Sequence, residues 1–122
     1  MKKILFIEDE SALQKTLGDL LGQEDYEMIS ALDGEVGLRL AKEKAPDLIL
    51  LDLILPKISG FDVLKRLKGD DQTKGIPVIV LTNLEGLGEI DKAIELGATT
   101  YLVKARYSLD EVLEKVKKTL EE

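Results

Sequence analysis

The stretch LILLDLILP, residues 48–56, decides the fold. Its first four residues are all apolar, which is typical of a strand that is covered on both faces of a parallel sheet. Four further runs, at residues 4–7, 27–31, 77–81 and 101–103, also read as strands, and a helix-length amphipathic segment follows each of the five. We therefore predict an α/β fold, a doubly wound five-stranded parallel sheet of the flavodoxin-like order 2-1-3-4-5.

Capping residues mark where the helices begin and end. The stretches SALQ at residues 11–14 and SLDE at residues 108–111 have the form of a capping box, which predicts the starts of the first and last helices. Ser59 is predicted to cap the third helix. The second helix is predicted from Gly34 to about Lys44, and Gly97 is predicted as the C-cap of the fourth helix.

Composition restricts the chemistry that this chain can perform. The 122 residues carry a net charge of −7 and include neither Cys nor His. Disulfides and the usual transition-metal ligands are therefore excluded, so that any reaction must use carboxylates, hydroxyls, lysines or the backbone. The acidic charge disfavours nucleic-acid binding. No apolar run is long enough for a membrane span or a signal peptide, so we expect one cytoplasmic, stand-alone domain over residues 1–122.

Polar side chains follow the apolar strands at the points where the strands end. Glu8 and Asp9 follow the first strand, Asp52 the third, Thr82 the fourth and Lys104 the fifth. Parallel strands end at one edge of the sheet, and ligands of such folds bind beyond that carboxyl edge, where the strand order reverses. We therefore expect these five side chains to lie close together although they are far apart in sequence.

Three carboxylates at one edge repel one another and require a cation. A site built from oxygen ligands, with room for water, suits Mg²⁺. Each residue also has a plainer interpretation when it is taken alone. Asp52 could cap the following loop, Glu8 and Asp9 could contact the dipole of the first helix, Lys104 could be solvated, and Thr82 could be an ordinary strand residue. Taken together, the five residues favour a phosphoryl-binding metal site.

With these anchor points, the chain resembles the receiver domains of two-component response regulators, of the stand-alone CheY-like type. The resemblance covers essentially the whole chain. It depends on Glu8–Asp9, Asp52 within LLDLILP, Gly60, Thr82 and the stretch YLVK at residues 101–104.

The resemblance implies a role for each acidic residue. Asp52 matches the phospho-acceptor, which receives a phosphoryl group from a histidine kinase, a phosphotransfer protein or a small acyl phosphate. Asp9 matches a direct Mg²⁺ ligand, together with Asp52 and the backbone carbonyl of Ile54. Glu8 matches a second acidic position that acts through water. Mn²⁺ is expected to substitute for Mg²⁺.

The resemblance also implies a switch. Lys104 and Thr82 match the groups that hold the phosphoryl oxygens, and Tyr101 matches the aromatic residue that turns inward when Thr82 moves. A downstream protein is then expected to bind the face formed by helix 4, strand 5 and helix 5, with Arg106 and Tyr107 among its residues. The domain is expected to be a monomer or weak dimer that binds neither nucleic acid nor membrane, and to be no enzyme beyond its own phosphorylation and dephosphorylation.

Two positions depart from the family pattern, and three rival functions remain. Ala105 replaces the usual proline after Lys104, so that the backbone there could be cis or trans. Asn83 stands where alanine is frequent. One rival is a Mg²⁺-dependent aspartyl-phosphate phosphatase, which would usually carry an Asp at the position of Ile54. The others are a flavin carrier, disfavoured by the acids at residues 8–10, and a pseudo-receiver that only binds proteins.

Overall fold

The computed structural model describes residues 1–121 and contains a parallel sheet of order β2-β1-β3-β4-β5. Its strands are β1 (Lys3–Ile7), β2 (Glu27–Ala31), β3 (Leu48–Leu51), β4 (Val78–Thr82) and β5 (Thr100–Val103). The helices are α1 (Ser11–Gln23), α2 (Gly34–Lys44), α3 (Gly60–Gly69), α4 (Leu87–Glu95) and α5 (Leu109–Glu121), and a 3₁₀ turn (Lys104–Arg106) follows β5. The predicted fold class and strand order are confirmed.

The two faces of the sheet explain why its central strands are apolar at every position. On β3, Ile49 and Leu51 belong to the buried cluster that includes residues of α2, α3 and α4. Leu48 and Leu50 belong to the opposite cluster, with residues of α1 and α5. Because successive strand residues point to opposite faces, both sets must be apolar when helices cover both sides. Asp52 then follows directly on a strand that is entirely buried.

Several predicted helix ends are confirmed. The Oγ of Ser108 accepts a hydrogen bond from the Glu111 N–H at 3.1 Å, and the Glu111 carboxylate accepts one from the Ser108 N–H at 2.9 Å. The Oγ of Ser59 accepts a hydrogen bond from the Asp62 N–H at 3.2 Å. The C-cap of α4 is Leu96 and not Gly97, so that prediction was wrong by one residue; Gly97 follows the cap with a φ of 109°, which a glycine adopts without strain.

The predicted capping box at the start of α1 is wrong. Ser11 is already the first residue of the helix, and Glu10 precedes it without a capping hydrogen bond from its side chain. The Gln14 side chain does not turn back to the helix start, because it is buried and donates hydrogen bonds to strand carbonyls instead. A tertiary contact has overridden the local capping pattern.

Close packing at Gly60 joins α3 to the end of β3. The Gly60 N–H donates to the carbonyl of Leu53 at 2.9 Å. A Cβ atom at Gly60 would lie only 2.3 Å from the Asp52 carbonyl oxygen and from the Leu53 Cα. The position therefore requires glycine, because any side chain would displace the backbone that carries Asp52.

Two features of the described chain complete the fold. The Lys104–Ala105 peptide is trans, since residues 1–121 contain no cis peptide bond. None of the helices within this range has the length and apolar character needed to cross a membrane.

Candidate functional site

Three carboxylates meet at the carboxyl edge of the sheet, beyond β1 and β3. One carboxylate oxygen from each of Glu8, Asp9 and Asp52 lies within 4.8 Å of the other two. Glu8 and Asp52 are buried, with exposed fractions of 1% and 3%, whereas Asp9 is exposed to solvent. The structure thus brings Asp52 next to Glu8 and Asp9, which precede it by 43 positions or more in the sequence, as expected from the strand order.

Lys104 bridges the two buried acids from the other side. Its Nζ lies 2.9 Å from the Oδ2 of Asp52 and 2.5 Å from the Oε1 of Glu8. Burial of the ammonium opposes its charge, but the hydrogen bonds to Glu8 and Asp52 prevail and raise the pKa of Lys104 above its usual value. The side chain is 17% exposed, so Lys104 is not simply solvated.

Each buried acid uses its second oxygen within its own turn. The Oδ1 of Asp52 accepts a hydrogen bond from the Ile54 N–H at 3.1 Å, and the Oε2 of Glu8 accepts one from the Glu10 N–H at 3.0 Å. The loop-capping interpretation of Asp52 therefore holds for one oxygen, while the other oxygen faces Lys104. These four contacts fix the orientation of both carboxylates.

Burial dominates the ionisation of Glu8. Loss of hydration raises the pKa of its carboxyl group from 4.5 to about 6, and the nearby charge of Asp52 acts in the same direction. The hydrogen bonds from Lys104 and from the Glu10 N–H lower this pKa but do not cancel the effect of burial. The contact with Lys104 therefore offsets only part of the free energy that Glu8 loses when its carboxylate is removed from water.

Glu8→Gln is expected to stabilise the metal-free protein at neutral and alkaline pH. Because the folded state raises the pKa of Glu8, ionisation costs stability, and this cost develops as the pH rises from 4.5 to about 6. The free energy of unfolding should increase by up to about 2 kcal/mol above about pH 7 and hardly change below about pH 4. Urea denaturation followed by circular dichroism, in EDTA across a pH series, measures this difference.

Glu27→Gln removes the same charge from an exposed position on β2 and serves as the control. A gain in stability for Glu8→Gln that is as large at acidic pH as at alkaline pH would contradict this account of Glu8.

The donor set at the carboxyl edge fits a hard divalent cation. Its ligand atoms are carboxylate oxygens, and one of the three acids, Asp9, opens to solvent, where bound water could complete the coordination. Mg²⁺ prefers oxygen ligands and retains several waters, and Mn²⁺ accepts the same ligands. Ile54 follows Asp52 by two residues and is half exposed. A role for its carbonyl as a ligand stays a prediction.

Thr82 and Tyr101 both contact the loop between β4 and α4. Thr82 is the last residue of β4 and fully buried, with its Oγ1 3.5 Å from the Leu84 nitrogen. The Tyr101 hydroxyl donates to the carbonyl of Leu84 at 2.8 Å. Burial raises the pKa of the Tyr101 phenol, with smaller effects from the charges of Glu89 and Asp52. Leu84 thus links the threonine to the tyrosine.

A surface ion pair joins the same loop to the turn after β5. The Arg106 guanidinium contacts the Glu85 carboxylate through two nitrogens, at 2.7 and 2.8 Å. Tyr107, the next residue, is partly buried against the cluster that contains α1 and α5. Asn83, immediately after Thr82, is exposed. The two loops that flank Thr82 and Lys104 are therefore connected to each other.

A family model described as the response regulator receiver domain matches residues 4–117. The chain belongs to this family. The receiver domain is 38% identical over 120 residues to the DNA-binding dual master transcriptional regulator RpaA of Synechocystis, which covers 98% of this chain and 49% of that protein. It is 34% identical over 119 residues to the sporulation initiation phosphotransferase F of Bacillus subtilis, with 98% and 94% of the two chains covered.

Solved structures agree with this assignment. A CheY-like response regulator receiver domain from Methanospirillum hungatei superposes with a TM-score of 0.92 at 26% identity, over 99% of this chain and 94% of that one. The predicted family is confirmed, and receiver domains are signalling domains of two-component systems, not classical enzymes. The chain spans about half of the RpaA sequence and 22% of another relative, the response regulator PleD of Caulobacter vibrioides.

Gln14 is a residue of this site that the sequence analysis did not identify. It lies on the same face of α1 as Leu17 and Leu21, since positions i, i+3 and i+7 of a helix align. The position of a glutamine on the same helix face as buried leucines could have indicated that Gln14 is buried and makes tertiary hydrogen bonds. The capping-box pattern assigned Gln14 to the start of the helix instead.

Proposed function

We propose that this receiver domain accepts a phosphoryl group on Asp52 in a Mg²⁺-dependent reaction and thereby switches between two conformations. The observation that carries the proposal is the buried Asp52 carboxylate, paired with Lys104 and surrounded by Glu8 and Asp9. A purely structural Asp would need one partner, whereas this one has a lysine, a loop N–H and two neighbouring acids. That surplus of negative charge is what a cation-dependent acceptor needs.

The contacts of Asp52 support its role as the nucleophile. A carboxylate oxygen of Asp52 forms the new bond to phosphorus while the bond to the leaving group breaks, either to a histidine nitrogen or to the oxygen of an acyl phosphate. The Ile54 N–H and Lys104 hold the attacking carboxylate in one orientation, which is the positioning that phosphoryl transfer requires. Lys104, already charged and directed at Asp52, is then close enough to neutralise a phosphoryl oxygen.

Asp9, Asp52, the Ile54 carbonyl and, through water, Glu8 are the proposed ligands of the cation. When bound, Mg²⁺ or Mn²⁺ would offset the charge of the phosphoryl oxygens. The exposed position of Asp9 supports entry of the cation from solvent, and the burial of Glu8 supports an indirect role for that residue.

The contacts of Leu84 support the proposed switch. A phosphoryl group on Asp52 would attract the hydroxyl of Thr82, and the loop that follows β4 would move with it. Because the Leu84 carbonyl accepts the hydrogen bond of Tyr101, this movement breaks or redirects that bond and frees the tyrosine to turn inward. A protein partner would bind the face formed by α4, β5 and α5 in its changed conformation.

The proposed partners are a sensor histidine kinase or phosphotransfer protein upstream and a protein target downstream. We further propose that residues 1–122 form one cytoplasmic domain, monomeric or weakly dimeric, which binds neither nucleic acid nor membrane. A pseudo-receiver that only binds proteins is the alternative. The complete set of acids, threonine and lysine favours the acceptor function over it.

Incubation with acetyl phosphate tests the proposed function. In the presence of Mg²⁺, intact-mass spectrometry is expected to detect the addition of one phosphoryl group to the wild-type chain. In EDTA the addition should be absent, because the acids around Asp52 then repel the incoming phosphate. Mn²⁺ should restore it. A chain that stays unmodified in Mg²⁺ would exclude the acceptor function and favour the pseudo-receiver.

A further inference from the structure

Gln14 is a buried amide that contacts the ends of two strands. Its side chain projects from the first turn of α1 and is 5% exposed. The Nε2 atom lies 2.9 Å from the carbonyl oxygen of Phe6, 3.0 Å from that of Glu8 and 3.1 Å from that of Ala31. A single side chain therefore joins the end of β1, the end of β2 and the start of the acidic turn.

These contacts admit only one orientation of the amide. Three carbonyl oxygens surround one nitrogen, and the opposite orientation would press the Oε1 atom against all three. The Oε1 is buried and has no hydrogen-bond donor within the described chain. An apolar side chain of similar size would fill this position without leaving an oxygen unpaired, so packing alone does not account for an amide here.

Of the three contacts of Gln14, the hydrogen bond to the Glu8 carbonyl is the one that bears on the acidic site. The pairing of β1 with β2 ends at Ile7, which lies opposite Ala31, so Glu8 is one residue past the ladder. Among the main-chain hydrogen bonds that residues 1–121 form in turns, loops and helix caps, none has the Glu8 carbonyl as its acceptor. Gln14 supplies a donor for it. The Glu8 N–H donates to the Ala31 carbonyl at 2.9 Å and so fixes the peptide before Glu8. The carbonyl of Glu8 and the nitrogen of Asp9 share the next rigid peptide plane, so the bond from Gln14 helps to set the direction in which the chain continues to Asp9.

The position of the Asp9 carboxylate depends on the direction of the backbone, because no surrounding side chains bury Asp9 and hold it in place. Its side chain is exposed, in contrast to Glu8 and Asp52, whose carboxylates are buried and held by Lys104. The orientation of the Asp9 carboxylate is therefore set by the backbone of the acidic turn and not by side-chain packing.

We propose that Gln14 is a positioning residue that holds the Asp9 carboxylate in place for the divalent cation. It acts through the Glu8–Asp9 peptide and does not touch the cation itself. The inference rests on the proposed function, in which Asp9 and Asp52 hold Mg²⁺.

Gln14→Met tests the inference, because methionine has a similar length and no donor. Calorimetric titration is expected to give a Mg²⁺ dissociation constant about tenfold higher than that of the wild type, the usual effect of losing an outer-shell contact. Phosphorylation by acetyl phosphate should need correspondingly more Mg²⁺ yet reach the wild-type rate at saturation. Amide hydrogen exchange at Glu10, whose N–H donates to the Glu8 carboxylate, should accelerate in the metal-free protein, with exchange in β3 unchanged.

Gln23→Met is the matched control, since it places the same substitution at an exposed position on the same helix. It should change none of these quantities. Gln14→Leu, a second apolar variant, repeats the titration if the methionine variant does not fold. Thermal unfolding of each variant reports separately on stability.

The outcomes separate the inference from the proposed function. A folded Gln14 variant with wild-type Mg²⁺ affinity would overturn the inference, even if it had lost stability, because the residue would then be structural only. Unchanged exchange at Glu10 would overturn it as well. If the wild-type protein takes up no Mg²⁺ at all, the proposed function fails, and the inference fails with it.

Discussion

Asp52→Asn is expected to abolish phosphorylation by acetyl phosphate completely. The amide that replaces the carboxylate is not a nucleophile toward phosphorus. Glu8 also contacts Lys104 and a loop N–H, but its proposed role is to act on the cation through water and not to attack phosphorus. Intact-mass spectrometry after incubation with acetyl phosphate and Mg²⁺ should therefore show the unmodified mass only. The fold should be retained, because asparagine can still accept the hydrogen bond from Ile54.

Asp62→Asn provides the control for this loss. Asp62 is an exposed residue in the first turn of α3 and lies outside the acidic group, so its variant should gain one phosphoryl group as the wild type does. Peptide mapping would identify the modified residue in both cases. Transfer to Asp9 or Glu8 in the Asp52→Asn protein would show that the acceptor has been assigned to the wrong carboxylate.

Lys104→Met is expected to destabilise the metal-free protein by about 3 kcal/mol at neutral pH. The substitution leaves the buried carboxylates of Glu8 and Asp52 without the ammonium that lies between them. An uncompensated buried charge costs several kcal/mol, part of which is recovered when a carboxylate takes up a proton. Urea denaturation in EDTA, followed by circular dichroism, should show a much lower midpoint for the variant.

Mg²⁺ should stabilise Lys104→Met more than it stabilises the wild type, because a cation at the same edge replaces part of the missing positive charge. Lys15→Met removes an exposed lysine whose partner is Asp19, with the Lys15 side chain 79% exposed, and should change stability by no more than about 0.5 kcal/mol. Equal urea midpoints for the two variants would mean that Lys104 does not compensate the buried acids.

The sequence was sufficient to predict the fold because the relevant information is local. The apolar run at residues 48–51 shows that β3 is covered on both faces, and the structure buries all four of its side chains. The predicted strand boundaries differ from those observed by one residue at most; Thr82, for example, belongs to β4 instead of following it. Because the connections between parallel strands are right-handed and short, few strand orders are then possible.

The site could be predicted only in part. The residues that follow the strands meet at the carboxyl edge, because strand direction alone determines this. The contact of Lys104 with both Glu8 and Asp52 could not be predicted, since a flexible side chain reaching across from β5 has several possible partners. Gln14 was assigned to a helix cap because the cap is a local pattern, whereas its real partners are brought to it by the sheet.

Because of the close packing at Gly60, the backbone next to Asp52 is held more rigidly on the α3 side than on the side of β4 and β5. On one side, α3 begins in direct contact with the backbone of Asp52 and leaves no space for even one additional carbon atom. On the other side, a tyrosine hydroxyl and a surface ion pair hold the loop after β4, and water can replace both at little cost. We expect α3 to act as a rigid support, so that any displacement generated at Asp52 travels toward β4 and β5 alone.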